Sequence, residues 1–151
     1  MRAVVQRVSQ ASVMEDGVVR GEIGSGLLVL VGVAPGDESA DVDALADKLV
    51  NIRLMADAEG KMNRSVLEAA ASILVVSQFT LQADIRKGRR PSFTSAAEPD
   101  LAEPLIERLA GRISEVGVPV STGVFGAHMQ VALVNDGPVT LVIDVANGKV
   151  A

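Results

Sequence analysis

The sequence predicts an α+β fold. A single domain over residues 1–151 is built on a largely antiparallel or mixed, barrel-like β-sheet with two main helices. Three observations lead there. The periodic segments run strands, helix, strands, helix, strands. The 151 residues suit one domain and show neither an internal repeat nor a linker. A chain of this size buries roughly 70% of its unfolded surface, so its core needs no staples.

Residues 3–8 and 11–14 read as two strands. Asp16-Gly17 is a hairpin signal, residues 18–23 form the returning strand, and Gly24-Ser25-Gly26 turns the chain again. Residues 27–33 are continuously apolar, as in a strand covered on both faces, and Pro35-Gly36-Asp37 ends it. Val42, Leu45, Ala46, Leu49 and Ile52 recur at helical spacing and predict a helix over 39–51, capped by Asp37 or Ser39. Residues 52–55 read as a short strand, 57–61 as a turn and 65–71 as a helical turn. Residues 72–81 read as a strand, and 82–98 as a long loop. Leu101, Leu105, Ile106, Leu109 and Ile113 share one face of a second helix over 100–116. Asp100 with Glu103 resembles a capping box, yet Pro104 could delay the start, and Gly117 stops the helix. Residues 120–124, 128–134 and 139–145 return to strands, with a hairpin turn at Asp136-Gly137-Pro138.

Composition removes several functional classes. There is no cysteine, so disulfides, thiolate metal sites and a cysteine nucleophile are excluded, and a cytosolic protein is the simplest expectation. The N-terminal residues lack the apolar core of a signal peptide, and the longest apolar run, 27–33, falls far short of a bilayer span. A net charge of −5 argues against a general nucleic-acid binder. Positive charge is nevertheless concentrated in Arg86, Lys87, Arg89 and Arg90. That cluster reads either as a solvated loop or as a clamp for the phosphates of one RNA end. The three phenylalanines, Phe79, Phe93 and Phe125, either fill the core or offer a face for an unpaired base.

The chemistry is narrowed by elimination. His128 is the one histidine, so a site with several His or Cys ligands cannot be built. In a strand reading of 128–134, a lone histidine is more often structural than catalytic. Gly24-Ser25-Gly26 lacks the remaining glycine and the helix of a dinucleotide fingerprint, and there is no phosphate-binding P-loop. Asp84, Asp136 and Asp144 could supply a carboxylate pair, but nothing in the sequence brings two of them together. No side-chain nucleophile with its own base is evident. Catalysis, if present, must draw on positioning, backbone donors and a group on the substrate.

Two motifs supply a candidate. Ser77-Gln78-Phe79-Thr80-Leu81 follows the apolar run Ile73-Leu74-Val75-Val76, and Asn135-Asp136-Gly137-Pro138-Val139-Thr140 sets a Gly-Pro bond between two apolar runs. At this separation the pair resembles the signature motifs of the D-aminoacyl-tRNA deacylases, which hydrolyse the ester joining a D-amino acid to tRNA. The resemblance extends along residues 1–8, 26–33, 60–63, 86–93 and 123–129. Met14, Ala56 and Gln82 depart from the expected pattern outside the motifs.

The resemblance implies a homodimer with two equivalent sites at the subunit interface, acting on the aminoacylated 3′ end of tRNA without metal or cofactor and without a membrane. It implies that Gly137-Pro138 is cis and enters the site of the other subunit. X-Pro bonds are where the cis form is cheap. The two carbonyls would accept the substrate's α-amino group and leave no room for an L side chain, while glycine misattached to tRNA for alanine would pass. Ser77, Gln78, Phe79 and Thr80 would form the catalytic segment. Thr80 has no evident activating base, so the ribose 2′-hydroxyl would orient or activate the attacking water, with the N–H of Phe79 or Thr80 stabilising the oxyanion. Ser77 and Gln78 would fix the loop and the ligand. Arg7 would hold the Gly-Pro segment with its fork of donors. Phe125 and Met129 would support the site, and Arg86, Lys87, Arg89 and Arg90 would meet RNA phosphates. Read without the resemblance, Arg7 is a surface charge and residues 136–138 a plain turn. A small-molecule esterase using Thr80 or Ser77 with His128, or a dimeric RNA-end binding module without catalysis, also remains open.

Overall fold

The computed structural model describes residues 1–151. Strands β1 (Arg2–Glu15), β2 (Val18–Ile23) and β3 (Gly26–Gly32) open the chain, followed by helix α1 (Ser39–Asn51). Short strands β4 (Met55–Ala56) and β5 (Met62–Arg64) pair with each other. Strand β6 (Ser72–Ser77) leads into a 3-10 turn (Phe79–Gln82). Helix α2 (Pro99–Glu115), β7 (Val120–Thr122), β8 (Gln130–Ala146) and β9 (Lys149–Val150) complete it. The main sheet runs β7-β6-β3-β1-β8-β9, with β2 paired to β1. β3, β6 and β7 are mutually parallel and the other pairings antiparallel, so the sheet is mixed.

The sheet curls into a half-barrel because β1 serves three partners. Its first half pairs with β3, its second half with β2, and β8 follows its length. β2 thereby comes round to the β7 edge, where the Ser121 hydroxyl donates to the Glu22 carbonyl at 3.0 Å. Gly21 permits this closure: a Cβ there would lie 2.5 Å from the Thr122 carbonyl oxygen.

Alternation sorts the buried residues into two layers. Ala3, Val5, Leu27, Val29, Val31, Ile73 and Val75 face the helices, meeting Leu45 and Leu49 of α1 and Leu109 and Ile113 of α2. Val8, Val13, Leu28, Leu74 and Val76 fill the inside of the half-barrel. The apolar run at 27–33 is thus covered on both faces, as expected. Each fully buried Leu or Ile stabilises the fold by about 2 kcal/mol.

Several sequence expectations are corrected. The two N-terminal strands are one, β1, whose register with β8 shifts on either side of Val8. Asp136-Gly137-Pro138 is no hairpin turn, since β8 passes straight through it beside β1. Gln6 faces Thr140 and Val8 faces Asn135, so residues 136–139 bulge out opposite Arg7. The strand expected to reach residue 81 ends at Ser77. The short strand expected over 52–55 lies at Met55–Ala56, and β7 stops at Thr122. Strands β5 and β9 were not foreseen.

The cap of α1 is Glu38, whose amide donates to Asp41 at 2.9 Å, whereas Asp37 closes the preceding turn by accepting from the Ala34 amide at 2.6 Å. α2 begins at Pro99, where a fixed φ suits the first helical position, and carries no capping box at Asp100. Pro104 sits inside it on the solvent face, and burial of Ala102, Leu105 and Ile106 keeps the first turns in place.

Candidate functional site

An apolar pocket of about 510 Å³ opens where β6 ends. Ser77, Gln78 and Phe79 form one wall, and the start of α2 (Glu98, Pro99, Ala102 and Ile106) forms another. Phe93 lies on the loop before α2, and Phe125, His128 and Met129 on the loop after β7. Glu98 is the single carboxylate among the lining residues, so a paired-carboxylate mechanism has no footing here. No group of three or more His, Cys, Asp or Glu could hold a metal ion.

The 77–80 motif is a bend. β6 runs parallel to β3 up to the pair Val31–Ser77, and the Gln78 amide then donates to the Val31 carbonyl at 2.7 Å. From there the chain winds into the 3-10 turn, with Leu81 N–H bonded back to Gln78 at 3.1 Å. The amides of Phe79 and Thr80 precede this first bond of the turn, so the turn itself gives them no acceptor. The Gln78 side-chain amide donates to the Thr80 hydroxyl. Thr80 is exposed and does not line the pocket. Phe79 is 56% exposed and meets Phe93 edge to face, with ring centroids 5.1 Å apart.

Phe125 and Met129 are both on the pocket wall. Met129 also braces its own loop, its sulfur accepting from the Val124 amide at 3.4 Å. His128 is not in a strand. It lies in the loop before β8, exposed on the pocket wall. The local apolar alternation after it belongs to β8, and the glycines before it break the chain.

Gly137 and Pro138 do not reach this pocket within their own chain. Their peptide is cis, and both residues are exposed on the β8 bulge. Arg7 anchors that bulge: Nε donates to the Asp136 carbonyl at 2.8 Å and Nη1 to the Leu54 carbonyl at 2.7 Å. Asn135 adds a second brace, accepting from the Val139 amide at 2.8 Å and donating to the Thr140 hydroxyl at 3.0 Å.

The basic cluster is less uniform than its sequence. Asp84 and Ser92 pair across the loop, with N–H to carbonyl distances of 2.8 and 2.9 Å. The Arg86 guanidinium folds onto Asp84 through two bonds of 2.9 and 2.6 Å. That contact, with the Arg86 backbone amide, holds the Asp84 carboxyl below its ordinary value and raises Arg86. Lys87, Arg89 and Arg90 have no acidic partner and stand exposed on this loop.

Sequence reasoning missed the wall from α2. Ala102 and Ile106 sit on the apolar helical face, and nothing in a 3.6-residue period separates a pocket lining from a core contact. It also gave no role to Asn135, Leu54 or Gln82.

The chain is thus a half-barrel of mixed sheet backed by two helices, with the bend after β6 set into the wall of an apolar pocket. A family model described as D-Tyr-tRNA(Tyr) deacylase matches residues 4–144, and the chain belongs to this family. The D-aminoacyl-tRNA deacylase of Opitutus terrae is 60% identical over 148 residues, covering 95% of this chain and 97% of that one. That of Chloroflexus aurantiacus is 58% identical over 146 residues, covering 97% and 91%. Among solved structures, the c-Myc DNA Unwinding Element Binding Protein superposes with a TM-score of 0.90 at 38% identity, over 95% of this chain and 98% of that one. A probable eukaryotic D-amino acid tRNA deacylase shares the fold, with a TM-score of 0.78 at 19% identity over 93% and 97%.

Proposed function

We propose that this protein hydrolyses the ester between a D-amino acid, or glycine misattached to tRNA for alanine, and the terminal adenosine of cytoplasmic tRNA. The observation that carries the reading is the pocket built on Ser77, Gln78 and Phe79 in a chain of the deacylase family. The working unit is a homodimer in which Gly137 and Pro138 of one copy close the pocket of the other. Two observations support this. The bulge lies outside its own chain's pocket, and the same strand leaves Val131, Leu133, Val134 and Val142 exposed as single apolar side chains on its two faces. In that arrangement the Gly137 and Pro138 carbonyls accept the α-amino group, and the backbone behind them excludes an L side chain.

Catalysis is chiefly positional. The ribose 2′-hydroxyl orients or activates the attacking water, and the amides of Phe79 and Thr80 receive the developing oxyanion. Phe79 and Phe93 offer ring faces to the terminal base. Lys87, Arg89 and Arg90 meet phosphates of the acceptor end. Thr80 positions rather than attacks, so Thr80→Ala retains substantial activity, and a substrate ending in 2′-deoxyadenosine is cleaved much more slowly.

The decisive experiment compares D-tyrosyl-tRNA with L-tyrosyl-tRNA, using purified protein and no added metal. Rapid loss of the D-ester alone is expected. Equal loss of both would leave an esterase without the chiral filter. Binding of tRNA with no loss of either would point to an RNA-end binding module. One observation favours a second reading: His128 is exposed on the same pocket wall. Turnover of simple amino-acid esters that disappears in His128→Ala would make the protein a small-molecule esterase.

A further inference from the structure

We propose that Gly32 and Gln82 are positioning residues that clamp the 78–82 turn against the end of β3 and so set the aim of the Phe79 and Thr80 amides. The inference rests on the deacylase reading for its rate measurements but not for its measurement of turn order. Gly32 follows Leu28 and Leu30 on the inner face of the half-barrel, and there the turn crosses the strand. The approach is so close that a Cβ on Gly32 would lie 2.9 Å from the Gln78 carbonyl oxygen and 3.0 Å from Leu81 Cβ. One of these is backbone and the other is fixed to it, so neither can swing aside as a flexible side-chain end would. Any residue but glycine must lift the turn from the sheet.

Gln82 secures the far end of the same turn. Its side-chain Nε2 donates to the Gly32 carbonyl at 2.9 Å. Together with the Gln78 amide on the Val31 carbonyl at 2.7 Å, it pins the turn at both ends to consecutive residues of β3. The chemistry of Gln82 supplies the reason for its importance here: an amide donor of this length reaches a carbonyl that an apolar side chain would leave without it.

The effect should be on the transition state rather than on binding. The turn carries the proposed oxyanion donors, and misplacing a donor by a fraction of an ångström costs rate while the apolar walls still hold the ligand. Gln82→Met and Gln82→Glu keep the volume and remove the donor. Each should lower kcat for D-tyrosyl-tRNA about fivefold with KM unchanged, the loss expected for one net hydrogen bond. Gln82→Lys restores a donor with sufficient reach and should recover wild-type kcat. Gly32→Ala should lower kcat roughly a hundredfold.

Amide hydrogen exchange provides the readout that survives failure of the deacylase reading. In Gln82→Met the hydrogen-bonded amides of Leu81 and Ala83 should exchange faster, while those of β3 and β6 stay protected. If wild-type protein leaves D-tyrosyl-tRNA intact, the deacylase reading fails and exchange alone decides the clamp. Unchanged exchange at Leu81 and Ala83 in Gln82→Met, or equal kcat in the Met, Glu and Lys variants, would overturn it.

Discussion

Arg7 is where the bulge on β8 is joined to the rest of the molecule, and its replacement has a calculable cost. Its guanidinium bridges two segments far apart in sequence, through Nε to Asp136 and Nη1 to Leu54. Hydrogen bonds from a charged donor contribute about 1.5–3 kcal/mol each when sheltered. The Leu54 contact is partly buried and holds most of that value, while the Asp136 contact is exposed and holds about half. Removing both in Arg7→Met should destabilise the bulge by about 2 kcal/mol, or about thirtyfold in its local opening. Lysine presents a single point of donation and cannot span both carbonyls, so Arg7→Lys should lose about half as much. Amide exchange of residues 135–140 reports the opening directly. Deacylation of D-tyrosyl-tRNA should fall in the same order, wild type above Lys above Met. Since β8 is otherwise laddered to β1, the midpoint of thermal unfolding should fall by no more than about 8 °C in Arg7→Met. If exchange at 135–140 and turnover are both unchanged in Arg7→Met, the bulge does not depend on this tether.

Three further outcomes follow from the geometry. Ile113→Ala removes a fully buried side chain from the α2 face of the core; it should cost about 2–5 kcal/mol in urea unfolding, without changing the pocket's ligand preference. The buried Asp41 carboxyl is pushed up by burial, but accepting from the amides of Gly148 and Glu38 outweighs this and leaves it below its ordinary value. A depressed folded-state value means the stabilisation is present above the unfolded value and is lost as pH falls through the folded one, so the Tm gap between wild type and Asp41→Asn should narrow below about pH 4. In salt-dependent tRNA binding, Arg89→Ala or Arg90→Ala should reduce the slope of log K against log salt by about 0.7–0.9. Arg86→Ala should change it less, because Asp84 already neutralises that guanidinium.

Features written in one local stretch of sequence were legible. Helix α1 falls on residues 39–51 because a Pro-Gly break precedes a clean 3.6-residue period, and Asp16-Gly17 turns the β1–β2 hairpin as its type requires. Ser77, Gln78 and Phe79 of the 77–80 motif line one pocket with Phe125 and Met129 from the loop after β7, while Thr80 stands outside it. The features that escaped depend on partners distant in sequence. Ser9 and Gln10 read as a break, yet β1 continues through them because β8 pairs on past the irregularity. His128 looked like a strand residue because the run that follows it is apolar. Ile106 is at once a core contact and a pocket wall, which periodicity cannot distinguish.

The 135–140 segment makes the same point most sharply. Asn, Asp, Gly and Pro in succession are turn residues by every local rule, because each favours or tolerates the dihedrals a reversal needs. A reversal would pair the residues before 135 with those after 140. Instead both flanks find the same neighbour: 130–135 pairs with the second half of β1 and 140–144 with the first half. A strand as long as β1 offers more hydrogen-bonding edge than a short hairpin could, so the chain keeps its direction and expels the excess residues as a bulge. The turn-forming residues then serve a different end. They allow the expelled backbone to stand clear of the sheet, braced by Asn135 and tethered by Arg7, with Gly137 and Pro138 at its exposed crest. A hairpin tip would be held only by its own two strands. A bulge within a long ladder is fixed at both ends, and that rigidity is what a backbone surface needs if it is to sort ligands by shape.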